Sequence, residues 1–235
     1  MSVHAVPHWR AADVYVFDID GTLLNSRDAV HYFACRHAMR EVLGLDATID
    51  HVPVHGNTDP GILRAVLKNQ GMAEAAIDAC LPQLFTGMCA EVERNRDQLR
   101  PELCPAIPHL LEHLSGQRKL LGVASGNLEP IGWLKLESAG LRRMFSFGSF
   151  AHPRERRSDI FLHGVEQARN VAGAAAQVCF VGDTPADIAA AREAGVPIIA
   201  LATGVYGFQS LVELEPDACF ASAAGLLAAW EEELR

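Results

Sequence analysis

The chain has 235 residues, enough for one large domain or a core domain carrying a smaller insert. With 49% hydrophobic and 21% charged residues it is an ordinary globular protein. A chain this long buries roughly 70–75% of its unfolded surface, so it needs neither disulfides nor structural metal to fold. Twenty Lys and Arg stand against 29 Asp and Glu, a net charge of −9 without a basic block. That excludes nucleic acid as the expected partner and leaves room for a small anionic substrate in one local basic pocket.

The six cysteines (Cys35, Cys80, Cys89, Cys104, Cys179, Cys219) are scattered, with no C-x-x-C pair. The N-terminal MSVHAVPHWRAAD offers no apolar h-region, so no secretory signal is expected. Both features point to reduced thiols and a cytoplasmic location. The longest uncharged run, Ala194 to Val212, is punctuated by Gly195, Pro197, Gly204 and Gly207. It reads as strand, loop and helix start rather than as a membrane span.

In chain order, the apolar run VYVF (Val14–Phe17) ending at Asp18 predicts a buried strand. Asp28 to about Arg100 then holds no convincing strand but three or four helical segments. DAVHYFACRHAMREVLG ends at a natural C′ glycine, Gly44. TDPGILRAVLKNQG starts with Thr58 or Asp59 as N-cap, has Pro60 in its first turn and stops at Gly71. The following segment, from AEAAIDAC to QLR100, is predicted to break at Pro82.

From there strands and helices alternate. Helices are predicted at Ile107–Leu114, Pro130–Ala139, Ile160–Val171, Ala186–Ala194 and Ser222–Glu233. Strands are predicted at Lys119–Ser125, Gln177–Asp183 and Val196–Leu201, with Met144–Ser149 a weaker fifth. Apolar strands alternating with helices describe an α/β fold, a doubly wound parallel sheet with helices on both faces. The expected organisation is a discontinuous core, 1–24 and 102–235, with a helical cap domain from 25 to 101.

Ligands of open α/β sheets bind beyond the carboxyl ends of the strands. Those ends carry Asp18 and Asp20, then Ser125, then Asp183 and Asp187. Carboxylates converging on one crevice repel and raise each other's pKa, unless a cation sits between them. An all-oxygen acidic site suits Mg2+.

FDIDGTLL (Phe17–Leu24), VASGN (Val123–Asn127) and VGDTPADIAAAREAG (Val181–Gly195) occur in an order and spacing that resemble the haloacid dehalogenase superfamily. The insert after the first motif resembles the helical (C1-type) cap of its phosphoglycolate-phosphatase-like members. The resemblance implies a phosphatase acting on a small phosphorylated metabolite. Asp18 would be the nucleophile that forms an aspartyl-phosphate, and Asp20 the general acid and then the general base. Mg2+ would be held by Asp18, the backbone carbonyl of Asp20 and Asp183, with Asp187 near it or bound through water. The Ser125 hydroxyl and the Gly126 N–H would hold phosphoryl oxygens. Thr58 and Asp59 lie in a cap loop, His55–Asp59, that would face substrate or merely turn and cap a helix. Asn127 and Arg64 are further candidates.

One family element is altered. A lysine, usually followed by proline, is expected ahead of the helix that leads to the strand ending at Asp183. No lysine follows Lys135, and AHPRERRSDIF stands there instead. One cation is still required to bridge nucleophile and phosphate, and arginine does this bidentately. Counting back from Asp159-Ile160-Phe161 selects Arg157, with Arg156 in reserve and Arg154 further off.

His109-Leu110-Leu111-Glu112-His113 matches the inverted zinc-protease pattern H-x-x-E-H, but no third ligand is evident and a solvent-facing pair is the expectation. Hydrolytic dehalogenases share the fold but lack the second aspartate, so Asp20 and the Asp183/Asp187 pair favour phosphoryl chemistry. A phosphomutase and a non-catalytic binding protein are the remaining alternatives.

Overall fold

The computed structural model describes residues 9–26 and 28–231. Nine α-helices and eight strands are found among them, numbered here in chain order. Six strands form one parallel sheet in the order β5-β4-β1-β6-β7-β8: β1 Val14–Phe17, β4 Leu120–Ala124, β5 Phe147–Ser149, β6 Val178–Gly182, β7 Ile198–Leu201 and β8 Ala218–Phe220. The central strands are buried along their whole length because both faces are covered. Alternate residues serve opposite faces. Tyr15, Phe17, Leu121, Val123, Cys179 and Val181 pack with α4 (Ile107–Gly116) and α9 (Ala223–Glu231). Val14, Val16, Val178 and Phe180 pack with α6 (Arg157–Ala172) and α7 (Pro185–Ala194). Each such buried Val, Leu or Phe contributes on the order of 1.5–3 kcal/mol. The sheet is therefore doubly wound, as the alternation of apolar runs predicts.

Three strands lay outside the sequence reading. Two three-residue strands, β2 (Leu24–Ser26) and β3 (Pro101–Leu103), pair antiparallel where the chain leaves and re-enters the core. The third, β8, follows β7 and the short helix α8 (Phe208–Val212), the helix start predicted at the end of the uncharged run. The uncharged run from Ala194 is thus divided between loop, β7 and α8. Among the described residues no helix is long and apolar enough to cross a membrane. All six cysteines are unpaired.

Between β2 and β3 stand three helices: α1 (Val30–Leu43), α2 (Asp59–Asn69) and α3 (Glu74–Arg94). α1 ends at Gly44 in the left-handed conformation, φ 66°, as its sequence predicts. α2 begins on Thr58, whose hydroxyl accepts from the Gly61 N–H at 3.1 Å. The predicted break at Pro82 is corrected: α3 runs through it. An internal proline costs a helix about 3 kcal/mol, but Ile77, Leu81, Leu84, Phe85 and Met88 all bury against α1 and α2 and hold the helix together.

The helix α5 (Glu129–Ser138) lies between the two units. Leu128, Ile131 and Leu134 join the apolar cluster of the insert, whereas Leu136 joins the cluster under the sheet. The predicted start of the chain and the end of the last predicted helix, residues 232–233, fall outside the described residues.

Candidate active site

β4, β1 and β6 are neighbours, so the loops after Ala124, Phe17 and Gly182 meet at one end of the sheet. The Asp18 N–H donates to the Val181 carbonyl at 2.9 Å, extending the β1–β6 ladder by one residue and fixing where this carboxylate stands. The chain then turns at Gly21, φ 87°, where a side chain would collide with the Asp183 carboxylate. Thr22 donates to Asp183 Oδ1 at 2.9 Å. A β-carbon at Gly204 would also strike Asp183, so two glycines and a threonine cradle one carboxylate.

Asp187 sits in the first turn of α7, in a capping box. The Thr184 N–H and hydroxyl donate to Asp187 Oδ2 at 3.0 and 2.7 Å, and the Asp187 N–H returns a bond to the Thr184 hydroxyl. Its other oxygen, Oδ1, accepts from Arg157 Nε at 2.8 Å. Arg157 opens α6 and its Nη2 lies 2.6 Å from Asp187 Oδ1 and 2.9 Å from Asp18 Oδ2. That nitrogen is buried, yet aligned for a hydrogen bond with neither carboxylate. The guanidinium neutralises two aspartates while keeping a donor for another oxygen. Arg156 is 69% exposed and pairs with Glu193 at 3.1 Å, away from the pocket.

Asp18, Asp183 and Asp187 each bring an oxygen within 4.8 Å of one another, and all three are buried. Burial, followed by the Asp187 and Asp20 charges, pushes the Asp18 carboxyl up to about 7 despite Arg157. Burial, then Asp187 and Asp18, push Asp183 up to about 8. One guanidinium does not offset three carboxylates. The donor set is all oxygen and carries excess negative charge, which fits a hard divalent cation.

This sets a pH dependence whose sign follows from linkage. A carboxyl whose pKa rises from 3.8 to about 7 or 8 on folding contributes stability below its unfolded value and loses it as pH climbs through the folded one. In chelator, wild type is expected to lose thermal stability relative to Asp183→Asn between about pH 5 and pH 8. Saturating Mg2+ is expected to recover about 5–10 °C in wild type near pH 8 and little in the variant. A stability difference that ignores both pH and metal would contradict this picture of the cluster.

The β4 loop supplies the anion side. The Ser125 hydroxyl accepts from the Asn127 N–H at 3.3 Å and from Asn127 Nδ2 at 2.7 Å, which leaves its own proton for a ligand. At Gly126 a side chain would collide with the Asn57 carbonyl of the insert and crowd Arg157. The insert therefore rests directly on this loop.

Of the insert candidates for substrate contact, Asp59 lines the cavity together with His55, Gly56 and Asn57, whereas Thr58 does not, and both Thr58 and Asp59 make contacts across the seam. The Thr58 hydroxyl caps α2 and donates to the Glu155 carbonyl at 2.8 Å, with the residue 2% exposed. The Asp59 N–H donates to the Gly126 carbonyl at 2.8 Å, and its Oδ2 accepts from the Leu128 N–H at 2.8 Å. Its Oδ1 lies 3.1 Å from His31 Nε2. Both residues fasten the insert to the core, because a helix start at the seam has donors and acceptors to spend on the opposing loop. Arg64 also departs from expectation: Glu155, Glu74 and Asp78 hold its guanidinium. His109 and His113 lie on α4, where Gln117 Nε2 is 3.0 Å from His113 Nε2, and no third ligand joins them among the described residues.

Sequence reasoning missed Lys135. Its Nζ lies 2.8 Å from both oxygens of Asp20 and 3.0 Å from Asn127 Oδ1. Asn127 Nδ2 in turn donates to Asp20 Oδ2 at 2.7 Å. Burial works to raise the Asp20 carboxyl, but the Lys135 charge and hydrogen bonds from Lys135 and Asn127 outweigh it and the pKa is lowered. The available signal was a lysine sharing a helix face with Leu128, Ile131 and Gly132, at spacings of seven, four and three residues.

Asp18, Asp20, Ser125, Gly126, Asn127, Lys135, Arg157 and Asp183 thus line one cavity of about 370 Å3, which His31, Tyr32, Val54 and Ile62 of the insert also line. This cavity, on this fold, belongs to a recognised class. The family model for haloacid dehalogenase-like hydrolases matches residues 15–201, and the chain belongs to that family. Its relatives are phosphatases, and it is a phosphoglycolate-phosphatase-like hydrolase of that type. It is 28% identical to the phosphoglycolate phosphatase of Synechococcus elongatus over 94% of this chain and 98% of that one. It is 30% identical to the phosphoglycolate phosphatase of Agrobacterium fabrum over 93% and 92%. Among solved structures, CbbY from Rhodobacter sphaeroides in complex with phosphate shares the fold, with a TM-score of 0.68 at 19% identity, covering 92% of this chain and 96% of that one.

Proposed function

We propose that the protein is a Mg2+-dependent phosphatase that hydrolyses a small phosphate monoester through an aspartyl-phosphate at Asp18. The observation that carries this reading is Arg157 Nη2, buried 2.9 Å from Asp18 Oδ2 with no aligned partner. A cation pressed against a nucleophile and still holding a free donor is suited to receive a phosphoryl oxygen.

In this reading Asp18 attacks phosphorus, and the P–O bond to the alcohol breaks as Asp20 gives the leaving oxygen a proton. Asp20 then takes a proton from the water that cleaves the acyl-phosphate, which releases inorganic phosphate and restores Asp18. Asp20 is ionised in the resting site, and a phosphate dianion brought beside it raises its pKa again. Ser125, the Gly126 N–H and Arg157 hold phosphoryl oxygens. Asp18, Asp183 and the Asp20 carbonyl would hold Mg2+, which supplies charge neutralisation at the nucleophile and phosphate. Asp187, with both oxygens already engaged, acts through Arg157 and the start of α7.

The insert, 25–101, serves as a cap over the core, and its fastening through Asp59 and Thr58 excludes water from the cavity. A cavity near the small end of the ligand-pocket range favours a small ester. The names of the relatives make phosphoglycolate the first to try. Phosphate release is to be measured from phosphoglycolate, sugar phosphates and nucleoside monophosphates, with Mg2+ and with chelator. Mg2+-dependent release from a small ester is expected, and metal-independent chloride release from a 2-haloacid would overturn the reading.

A further inference from the structure

The site contains two buried cations with separate duties. Arg157 serves Asp18 and Asp187, and none of its contacts reaches Asp20. Among the described residues Lys135 bonds Asp20 and Asn127 alone. We propose that Lys135 is a positioning residue that holds the Asp20 carboxylate, through a closed Lys135–Asp20–Asn127 ring, where it meets the leaving oxygen of the substrate. The proposal rests on the acid–base reading of Asp20.

Without this ring Asp20 has little to fix its side chain. Its side chain is 43% exposed on the cavity wall, three residues beyond the end of β1 and next to the Gly21 turn. A free aspartate rotates about χ1 and χ2, and a misplacement of about 1 Å can cost on the order of a hundredfold in rate. Lys135 removes that freedom. It is 4% exposed and held by the helix α5, whose neighbouring side chains Leu134 and Leu136 anchor in the cap and under the sheet respectively. Its ammonium reaches both carboxylate oxygens, so the plane of the group is set as well as its place. Asn127 closes the ring by accepting from Lys135 and donating to Asp20, and its second bond to the Ser125 hydroxyl ties the ring to the anion loop.

An isolated lysine buried among leucines is strongly disfavoured unless paired. Here all its acceptors belong to catalytic-loop residues. The packing of α5 between cap and core also means that the rigid element carrying Lys135 is the one both units share.

The test exploits leaving-group dependence. An alkyl phosphate needs a proton on its leaving oxygen, while p-nitrophenyl phosphate leaves with little help. Lys135→Met, close in length and without charge, is expected to lower kcat on an alkyl phosphate at least about tenfold more than on p-nitrophenyl phosphate, with KM nearly unchanged. Lys135→Gln, which keeps one donor, is expected to fall between and serves if the methionine variant does not fold. Asp20→Asn, assayed beside them, should show the same dependence more strongly. Equal losses on both esters, or none, in the lysine variants while Asp20→Asn discriminates would make Lys135 structural and overturn the proposal. If Asp20→Asn itself fails to discriminate, the acid–base reading falls and takes the proposal with it.

Discussion

Asp18→Asn is expected to reduce phosphate release by about 10^4-fold or more at saturating Mg2+. The amide keeps the size and place of the carboxylate at the end of β1 but offers no nucleophile to phosphorus. The variant should fold as well as wild type or better. Burial and the Asp187 and Asp20 charges already push Asp18 up to about 7, so removing its charge relieves the cluster. Lost activity with an equal or higher thermal midpoint separates a chemical role from a structural one. Activity within tenfold of wild type on any ester would contradict the mechanism.

Arg157→Ala is expected to cost more than tenfold in turnover, at least about 1.4 kcal/mol. Two effects combine. The phosphoryl group loses its buried donor, and Asp18 loses the one charge that holds its pKa down against burial. The same substitution leaves Asp187 without its ion-pair partner at 0% exposure, so a fall in thermal stability should accompany it. Arg156→Ala is the matched control. Its side chain is 69% exposed and paired with Glu193, and removal should leave turnover within about twofold. The reverse pattern would keep the role of a cation but assign it to the wrong arginine.

How much of this was readable beforehand differs from element to element. The central strands were legible because each is a short apolar run ending in Asp or Ser, and burial on both faces leaves no other reading. Helix ends with a stereochemical reason, such as Gly44 after α1 and Thr58 before α2, were legible for the same kind of cause. The three-residue strands β2 and β3 were not, since their pairing joins residues far apart in the chain and leaves no local pattern. Pro82 misled because local propensity favours a break there, and long-range packing of α3 overrides it.

At the site, Asp18, Asp20, Asp183 and Ser125 announced themselves by standing at strand ends. The choice of Arg157 rested on spacing, and the structure puts its guanidinium against Asp18. Lys135 escaped because the expected cation was one bridging nucleophile and phosphate from the segment ahead of α6, and no local pattern ties a mid-helix lysine to Asp20. A mid-helix lysine meets Asp20, 115 residues away, only once α5 is packed between insert and sheet. For Thr58 and Asp59 the helix start was legible but the cross-seam contacts were not. A loop that ends in a helix start can serve a ligand or an opposing loop, and the contact with Gly126 and Leu128 is set by tertiary closure alone.

The central claim is that Asp18 carries the phosphoryl group, and rapid acid quenching during turnover tests it most directly. Wild type quenched with Mg2+ and a good ester should gain the mass of one phosphoryl group, and reduction with borohydride should convert residue 18 alone to homoserine. Sustained phosphate release with no label at Asp18, or with the label on another residue, would contradict the account.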